Sequence, residues 1–139
     1  MTVKEYLNQV RMLDIKIKNE LEELNHLREL STSLGGFSFE EKVQTSKATG
    51  DTIGIAVGKI IDLQRKINSD IVKLKKTRNK ILDDIEKVED INCYDLLYKR
   101  YVLYKTWEEI AVDMNYSIRK IYYLHGEALK KIQAIKSLQ

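Results

Sequence analysis

The sequence lacks proline altogether, so nothing in it breaks a helix by removing an amide hydrogen. Its single cysteine, Cys93, excludes an internal disulfide, and its two widely separated histidines give no basis for a structural zinc site. No run approaches the roughly 18 apolar residues of a membrane span. The N-terminal residues are charged early, without the apolar core of a secretory signal. We therefore expect a soluble cytoplasmic protein that carries no metal.

Catalytic and nucleotide-binding patterns are absent too. The segment Gly50–Lys59 is rich in glycine, but positions 53 and 60 are both isoleucine, and the spacing does not fit a phosphate-binding loop. Adjacent acids such as Asp83 and Asp84 diverge by about 100° on a helix and do not form a carboxylate dyad. We expect a protein that is not an enzyme and needs no cofactor.

The 139 residues are 32% charged and rich in isoleucine, leucine, lysine and glutamate, a composition typical of long helices. Apolar residues three, four or seven apart over 3–34 predict an amphipathic first helix, with Glu20 on its charged side. This stripe contains Tyr6, Val10, Leu13, Ile17, Leu21, Leu24, Leu27 and Leu34. Gly35 and Gly36 are expected to end the helix, and residues 35–50 to form a loop or weakly ordered link.

A second stripe predicts a helix roughly 50 Å long over residues 53–88. Apolar residues repeat every seven positions, with a second row four positions later that includes the polar Gln64 and Arg78. The first row is Ile53, Ile60, Ile67, Leu74, Ile81 and Val88, and the second is Val57, Gln64, Ile71, Arg78 and Ile85. Such a helix must bury its stripe against the first helix, in an antiparallel hairpin, or against a second copy of the chain.

Turn-forming residues at 89–92 predict a boundary between a helical hairpin, 1–92, and a C-terminal domain, 93–139. The first part carries 16 basic and 16 acidic residues, and the second carries eight basic and five acidic residues. The fold class we expect is all-α: a long coiled-coil-like hairpin for oligomerisation or partner binding, followed by a small helical domain with all the positive excess.

Residues 94–132 show the pattern of a helix-turn-helix. Residues 94–102 read as a first helix, with Leu97 and Tyr101 on one face. Thr106 and Glu109 form a capping-box pattern, and an apolar stripe follows at Trp107, Ile110, Ala111 and Met114. Asn115 and Tyr116 predict a tight turn, Ser117 caps the next helix, and that helix buries Ile121, Leu124, Ala128 and Ile132. Ala111 is small where the two helices should cross.

A helix-turn-helix presents the outer face of its last helix to base edges in the major groove. The predicted base-reading residues are Ile118, Arg119, Tyr122 and Tyr123. The predicted phosphate contacts are Arg100, Lys105, Thr106, Ser117, Lys120, Lys130 and Lys131. The alternatives are that the lysines are solvated charges and that the tyrosines pack on a neighbouring helix or chain.

Residues 95–132 resemble region 4 of the sigma-70 family, which binds the −35 promoter element. The matching residues are Leu97, Arg100, Tyr101, Thr106, Glu109, Ile110, Ala111, Ser117, Ile121, Ala128, Leu129, Lys131 and Ile132. The whole chain also resembles small phage and prophage proteins of the DUF1492, ArpU and RinA-like late-regulator group. The resemblance implies a phage-encoded DNA-binding transcriptional regulator. Ile118 and Tyr122 stand where region 4 often has arginine, and the promoter-melting region 2 has no counterpart.

Sequence reasoning therefore favours a regulator that binds double-stranded DNA and self-associates through its N-terminal helices. One alternative is a phage packaging protein such as a small terminase subunit, which joins the same two parts in a ring. Another is an interaction protein that binds RNA polymerase or an anti-sigma partner. The operator, the sign of regulation and the oligomeric state stay open.

Overall fold

The computed structural model describes the backbone of residues 1–36 and 46–139, and the side chains of 1–32 and 53–139. Within these ranges the chain is helical and contains no strand, which confirms the all-α prediction. The helices are α1 (Val3–Gly36), α2 (Ser46–Glu86), α3 (Ile91–Leu97), α4 (Trp107–Met114) and α5 (Ile118–Ser137), with a π-helical turn at Tyr98–Val102 after α3. None of the described helices is long and apolar enough to cross a membrane.

The loop predicted over 35–50 overlaps the second long helix, because α2 already begins at Ser46. α1 ends at Gly36, within the glycine pair predicted to end it, and residues 37–45 lie outside the described part of the chain. A glycine inside a helix costs only about 1 kcal/mol relative to alanine, so Gly50 is accommodated near the start of α2.

α1 starts with a capping box that the sequence displays as Thr2 followed three residues later by Glu5. The Thr2 amide donates to Glu5 Oε2 at 2.8 Å, and the Glu5 amide donates to Thr2 Oγ1 at 3.1 Å. This exchange satisfies two amide groups that a helix start otherwise leaves without partners. It fixes the first turn of α1, which contributes Tyr6 to the main hydrophobic core.

The chain divides into two compact units. The terminal unit comprises Met1–Asp14 and Leu74–Gln139, and the central unit comprises Ile15–Lys73. The boundary predicted between 92 and 93 lies inside the terminal unit, because the ends of α1 and α2 bury their apolar stripe against α3 and α5. This core contains Tyr6, Leu7, Val10, Ile81, Ile85, Val88, Cys93, Leu97, Tyr101, Ala128 and Ile132.

The buried row of α1 differs from the predicted stripe at one turn. Glu20 is 8% exposed, whereas Leu21 is 43% exposed. From Tyr6 the row alternates steps of four and three residues through Val10, Leu13 and Ile17, and the next step of three reaches position 20 and leaves position 21 outward. On α2, Arg78 is exposed and the neighbouring Thr77 is half-buried. The buried row of α2 therefore does not contain the arginine that was predicted in it.

Candidate nucleic-acid interface

Both caps predicted around α4 and α5 are present. Thr106 Oγ1 accepts a hydrogen bond from the Glu109 amide at 3.2 Å, and Ser117 Oγ accepts one from the Lys120 amide at 3.1 Å. Glu108 and Glu109 lie in the first turn of α4, where carboxylates stabilise the helix by interacting with the positive end of its dipole. The hydroxyls hold the starts of both helices in fixed positions.

The turn between α4 and α5 has the left-handed residue that the sequence predicted. Asn115 adopts φ 60° and ψ 41°. Its amide donates to the carbonyl of Val112, and the Tyr116 amide donates to the carbonyl of Ala111 at 3.0 Å, which together form a Schellman motif. Asparagine tolerates this conformation better than most side chains, so the chain reverses sharply between the two helices.

The crossing of α4 and α5 is closed by small and branched side chains. Ala111, Ile110 and Ile121 form a buried cluster with Leu96 of α3. The predicted inward stripe of α5 is confirmed at Ile121, Ala128 and Ile132, each fully buried, while Leu124 is half-buried between the two clusters. α5 is therefore held along its inner side, and its outer side is left for other contacts.

The predicted base-reading residues divide into two groups. Arg119 is exposed, and Tyr122 and Tyr123 are 52% and 71% exposed on the outer side of α5. Ile118 is only half-buried because it packs against the α4–α5 cluster, where it lines a shallow groove with Ala111 and Val112. Arginine and two tyrosines thus remain open together near the start of α5.

An aromatic cluster lies directly behind Tyr122. The Trp107 ring meets Tyr122 edge-on with the ring centroids 5.7 Å apart, and it meets His125 edge-on at 4.6 Å. The Tyr101 hydroxyl and His125 Nε2 are hydrogen-bonded at 2.6 Å. Burial, with the nearby charges of Lys4 and Arg100, lowers the pKa of His125 to about 4, so its ring is neutral at pH 7.

Sequence reasoning did not find this cluster, because its members are up to 24 residues apart and carry no local pattern. Burial also raises the pKa of the Tyr101 hydroxyl to about 12, which keeps it available as a hydrogen-bond donor. A helix-turn-helix prediction treats such aromatic residues as generic core. Here they hold one side of an exposed tyrosine in a fixed place.

Two predicted phosphate ligands are engaged inside the protein. Arg100 Nη1 donates to the Lys105 carbonyl at 2.9 Å, and its guanidinium lies 4.3 Å from the centroid of the Trp107 ring. Lys105 Nζ forms a salt bridge with Asp113 at 2.5 Å, and that hydrogen bond raises the pKa of the lysine. We therefore assign Arg100 a positioning role and count Lys105 as a neutralised charge.

The other predicted phosphate ligands lie at the surface. Lys120 Nζ is 4.1 Å from the Tyr116 ring centroid, Lys130 Nζ is 3.5 Å from Glu127 Oε1, and Lys131 is exposed. A side chain added at Gly126 would meet nothing within 4 Å, so packing inside the described protein does not require glycine there. The structure thus brings Arg119, Tyr122, Tyr123 and Lys120 to one end of α5, and places Lys130 and Lys131 further along it.

Metal ligation is not supported in the described residues, where no three His, Cys, Asp or Glu side chains come together. Cys93 is buried in the main core, and burial raises the pKa of its thiol, which disfavours the reactive thiolate. No family model, curated protein or solved structure matches this chain.

Proposed function

We propose that the protein is a DNA-binding transcriptional regulator, phage or prophage encoded, that reads duplex DNA in the major groove with α5. The observation that carries this proposal is the exposed group of Arg119, Tyr122 and Tyr123 at the capped start of a helix that crosses a second helix after a sharp turn. Arginine donates two hydrogen bonds to guanine, and tyrosine bonds phosphate or packs on a thymine methyl.

The test is sequence-selective binding to duplex DNA, with bound sites identified by genomic footprinting and affinity measured on the recovered site. We expect Arg119→Ala and Tyr122→Ala each to lower the affinity for that site by 1–3 kcal/mol, roughly the discrimination from one base contact. Arg65→Ala, which removes an exposed arginine in the central unit, is the matched control. Selective binding that survives both α5 changes would disprove the assignment of the reading face.

Self-association is the second part of the proposal, with the long helices as the contact. Val57, Ile61 and Val72 lie on one side of α2 in the central unit and are 42%, 42% and 53% exposed. An apolar row of this kind gains most by burial against another chain. Two copies would supply two reading heads, which offsets the small contact area of one helix-turn-helix.

Solution mass, measured with and without DNA, tests this second part. A dimer that Ile61→Glu converts to a monomer supports a regulator that reads two half-sites. A ring of many copies would instead favour the packaging-protein alternative. A protein that binds RNA polymerase but shows no salt-dependent DNA binding would contradict the DNA proposal itself.

A further inference from the structure

A second group of cationic side chains in the terminal unit lies outside the predicted helix-turn-helix. Six cationic side chains belong to α1, the last part of α2 and the end of α5: Arg11, Lys75, Lys76, Arg78, Lys80 and Lys136. Within the described residues, none of these six has a carboxylate partner at salt-bridge distance, in contrast to Lys99, Lys105 and Lys130. We call these six residues the basic ridge.

The ridge is continuous in the fold although it comes from three helices. Arg78 of α2 and Arg11 of α1 both lie close enough to the Tyr104 hydroxyl to lower its pKa, against the larger effects of burial and of the Asp14 carboxylate, which raise it. Lys80 of α2 and Lys136 of α5 both lie over the Tyr6 ring, at 5.8 and 3.4 Å from its centroid. Tyr104 is thus shared by a cation of α2 and a cation of α1, and Tyr6 is shared by a cation of α2 and a cation of α5.

The α2 part of the ridge is exposed and free of acids. Lys75, Lys76, Arg78 and Lys80 are all exposed, and residues 71–82 contain no Asp or Glu. At about 100° per residue the four side chains cover the outward side of α2 from one edge of its buried row to the other. Like charges this close repel one another. Binding to a polyanion relieves this repulsion, because the cationic side chains then replace counterions that are condensed on the polyanion.

We propose that the basic ridge is a second contact surface for the sugar-phosphate backbone of duplex DNA, separate from the α5 reading face. This inference rests on the proposed function and extends it. Ile118 and Lys136 are about 27 Å apart along α5, so the ridge is well separated from the reading residues at the start of that helix. The ridge supplies affinity and salt dependence, and α5 supplies selectivity.

The experiment measures the salt dependence of affinity for a labelled duplex of about 30 base pairs, long enough to reach both surfaces. Lys75→Gln with Lys76→Gln removes two exposed charges that have no packing role. Each lost phosphate contact lowers the slope of log affinity against log salt by about 0.9, so we expect a fall of about 1.8 with selectivity unchanged. The control is Lys59→Gln with Arg65→Gln, two exposed cations of the same helix in the central unit.

The outcomes separate this proposal from the one above. A reduced slope in the ridge variant, beside a normal slope in the control, supports the ridge even if Arg119→Ala leaves selectivity intact. An unchanged slope in the ridge variant, or an equal fall in the control, overturns the ridge while the α5 proposal stands. Wild-type protein that does not bind the duplex at any salt concentration overturns both.

Discussion

Two buried acids on the same pair of helices have opposite surroundings. Asp84, in the terminal unit, is 1% exposed and accepts hydrogen bonds from the Tyr6 hydroxyl at 2.5 Å and Gln139 Nε2 at 2.6 Å. Glu20, in the central unit, is 8% exposed and has no hydrogen-bond donor at either carboxyl oxygen. A buried polar group is stabilising only when it is paired, so the same helical pattern produces a closed core in one unit and an open seam in the other.

The apolar residues of the two units repeat this difference. Leu7, Ile85, Leu97 and Ile132 are completely buried in the terminal unit. In the central unit, Ile17, Leu24 and Ile67 retain 4–6% exposure, and Ile15, Leu21 and Leu30 are more than 40% exposed. Helices α3 and α5 cover the terminal stretches of α1 and α2. We therefore expect the terminal unit to hold most of the stability of the chain.

The largest test of this difference uses two isoleucines at the same position of the seven-residue repeat, Ile81 and Ile67. Ile81→Ala should lower the free energy of unfolding by about 4 kcal/mol, because a closed core cannot collapse around the cavity. Ile67→Ala should cost about 2 kcal/mol, because its surroundings can relax toward solvent. Urea unfolding of both variants measures the gap, and equal losses would refute a difference in packing.

The two acids give the second test, through the same substitution. Asp84→Leu should lower the free energy of unfolding by about 2–4 kcal/mol, since Tyr6 and Gln139 lose their charged acceptor. Glu20→Leu should instead raise the melting temperature by about 2–5 °C, since it removes two buried oxygens that have no hydrogen-bond partner. Calorimetry on both variants decides the signs. A destabilised Glu20→Leu protein would mean that the carboxyl group has partners in solution.

Acid pH should move the two units in opposite directions. The pKa of His125 falls to about 4 in the folded protein, so the terminal unit loses stability as the pH drops from 6.5 toward 4. Burial and the neighbouring Asp70 raise the pKa of Glu20 above its ordinary 4.5, against Lys66 and Lys16. Its folded form therefore takes up a proton first, and the central unit gains stability as the pH falls through that raised value.

Each effect is bounded at about a tenfold change in the unfolding constant per pH unit, because one proton is involved. Asp70 acts the other way, because the Glu20 carboxyl can donate a hydrogen bond to it once protonated. This lowers the pKa of Asp70, and its effect appears below its ordinary 3.8. Residue-resolved hydrogen exchange between pH 4 and 6.5 follows both units together. Glu20→Gln should abolish the gain in the central unit and leave the loss in the terminal unit unchanged.

The smallest effect concerns the single tryptophan, Trp107, which lies in the terminal unit. Its fluorescence reports that unit alone, whereas circular dichroism reports the helices of both. We expect the dichroism midpoint in urea to lie a few tenths of a molar below the fluorescence midpoint, roughly what a 1 kcal/mol difference gives. Coincident curves would show that the chain unfolds as one cooperative body.

Local signals predicted local structure well. The caps at Thr106 and Ser117 and the left-handed Asn115 depend on a few neighbouring residues, and the sequence contains all of them. The capping box of Thr2 and Glu5 has the same kind of local pattern. The inward position of Glu20 differs by one residue from the predicted Leu21, because strict alternation of steps of three and four leads to position 20, whereas apolar character favours position 21.

Contacts between distant residues were not predictable in the same way. The role of Arg100 depends on Trp107 and the Lys105 carbonyl, and the hydrogen bond between Tyr101 and His125 depends on how α5 packs. The π-helical turn at Tyr98–Val102 has no signature in composition, and it replaced the last turn of a predicted helix. DNA binding, self-association and the resemblance to sigma region 4 stay predictions.

The division of the terminal unit between the two ends of the chain sets an order for its formation during synthesis. Asp14 leaves the ribosome 118 residues before Ile132, and both ends contribute to the same core. At about 5–20 residues per second, the first turns of α1 wait roughly 6–24 s for their partners. A nascent or truncated chain that lacks α5 cannot close this core, so the core forms only after Ile132 has been synthesised.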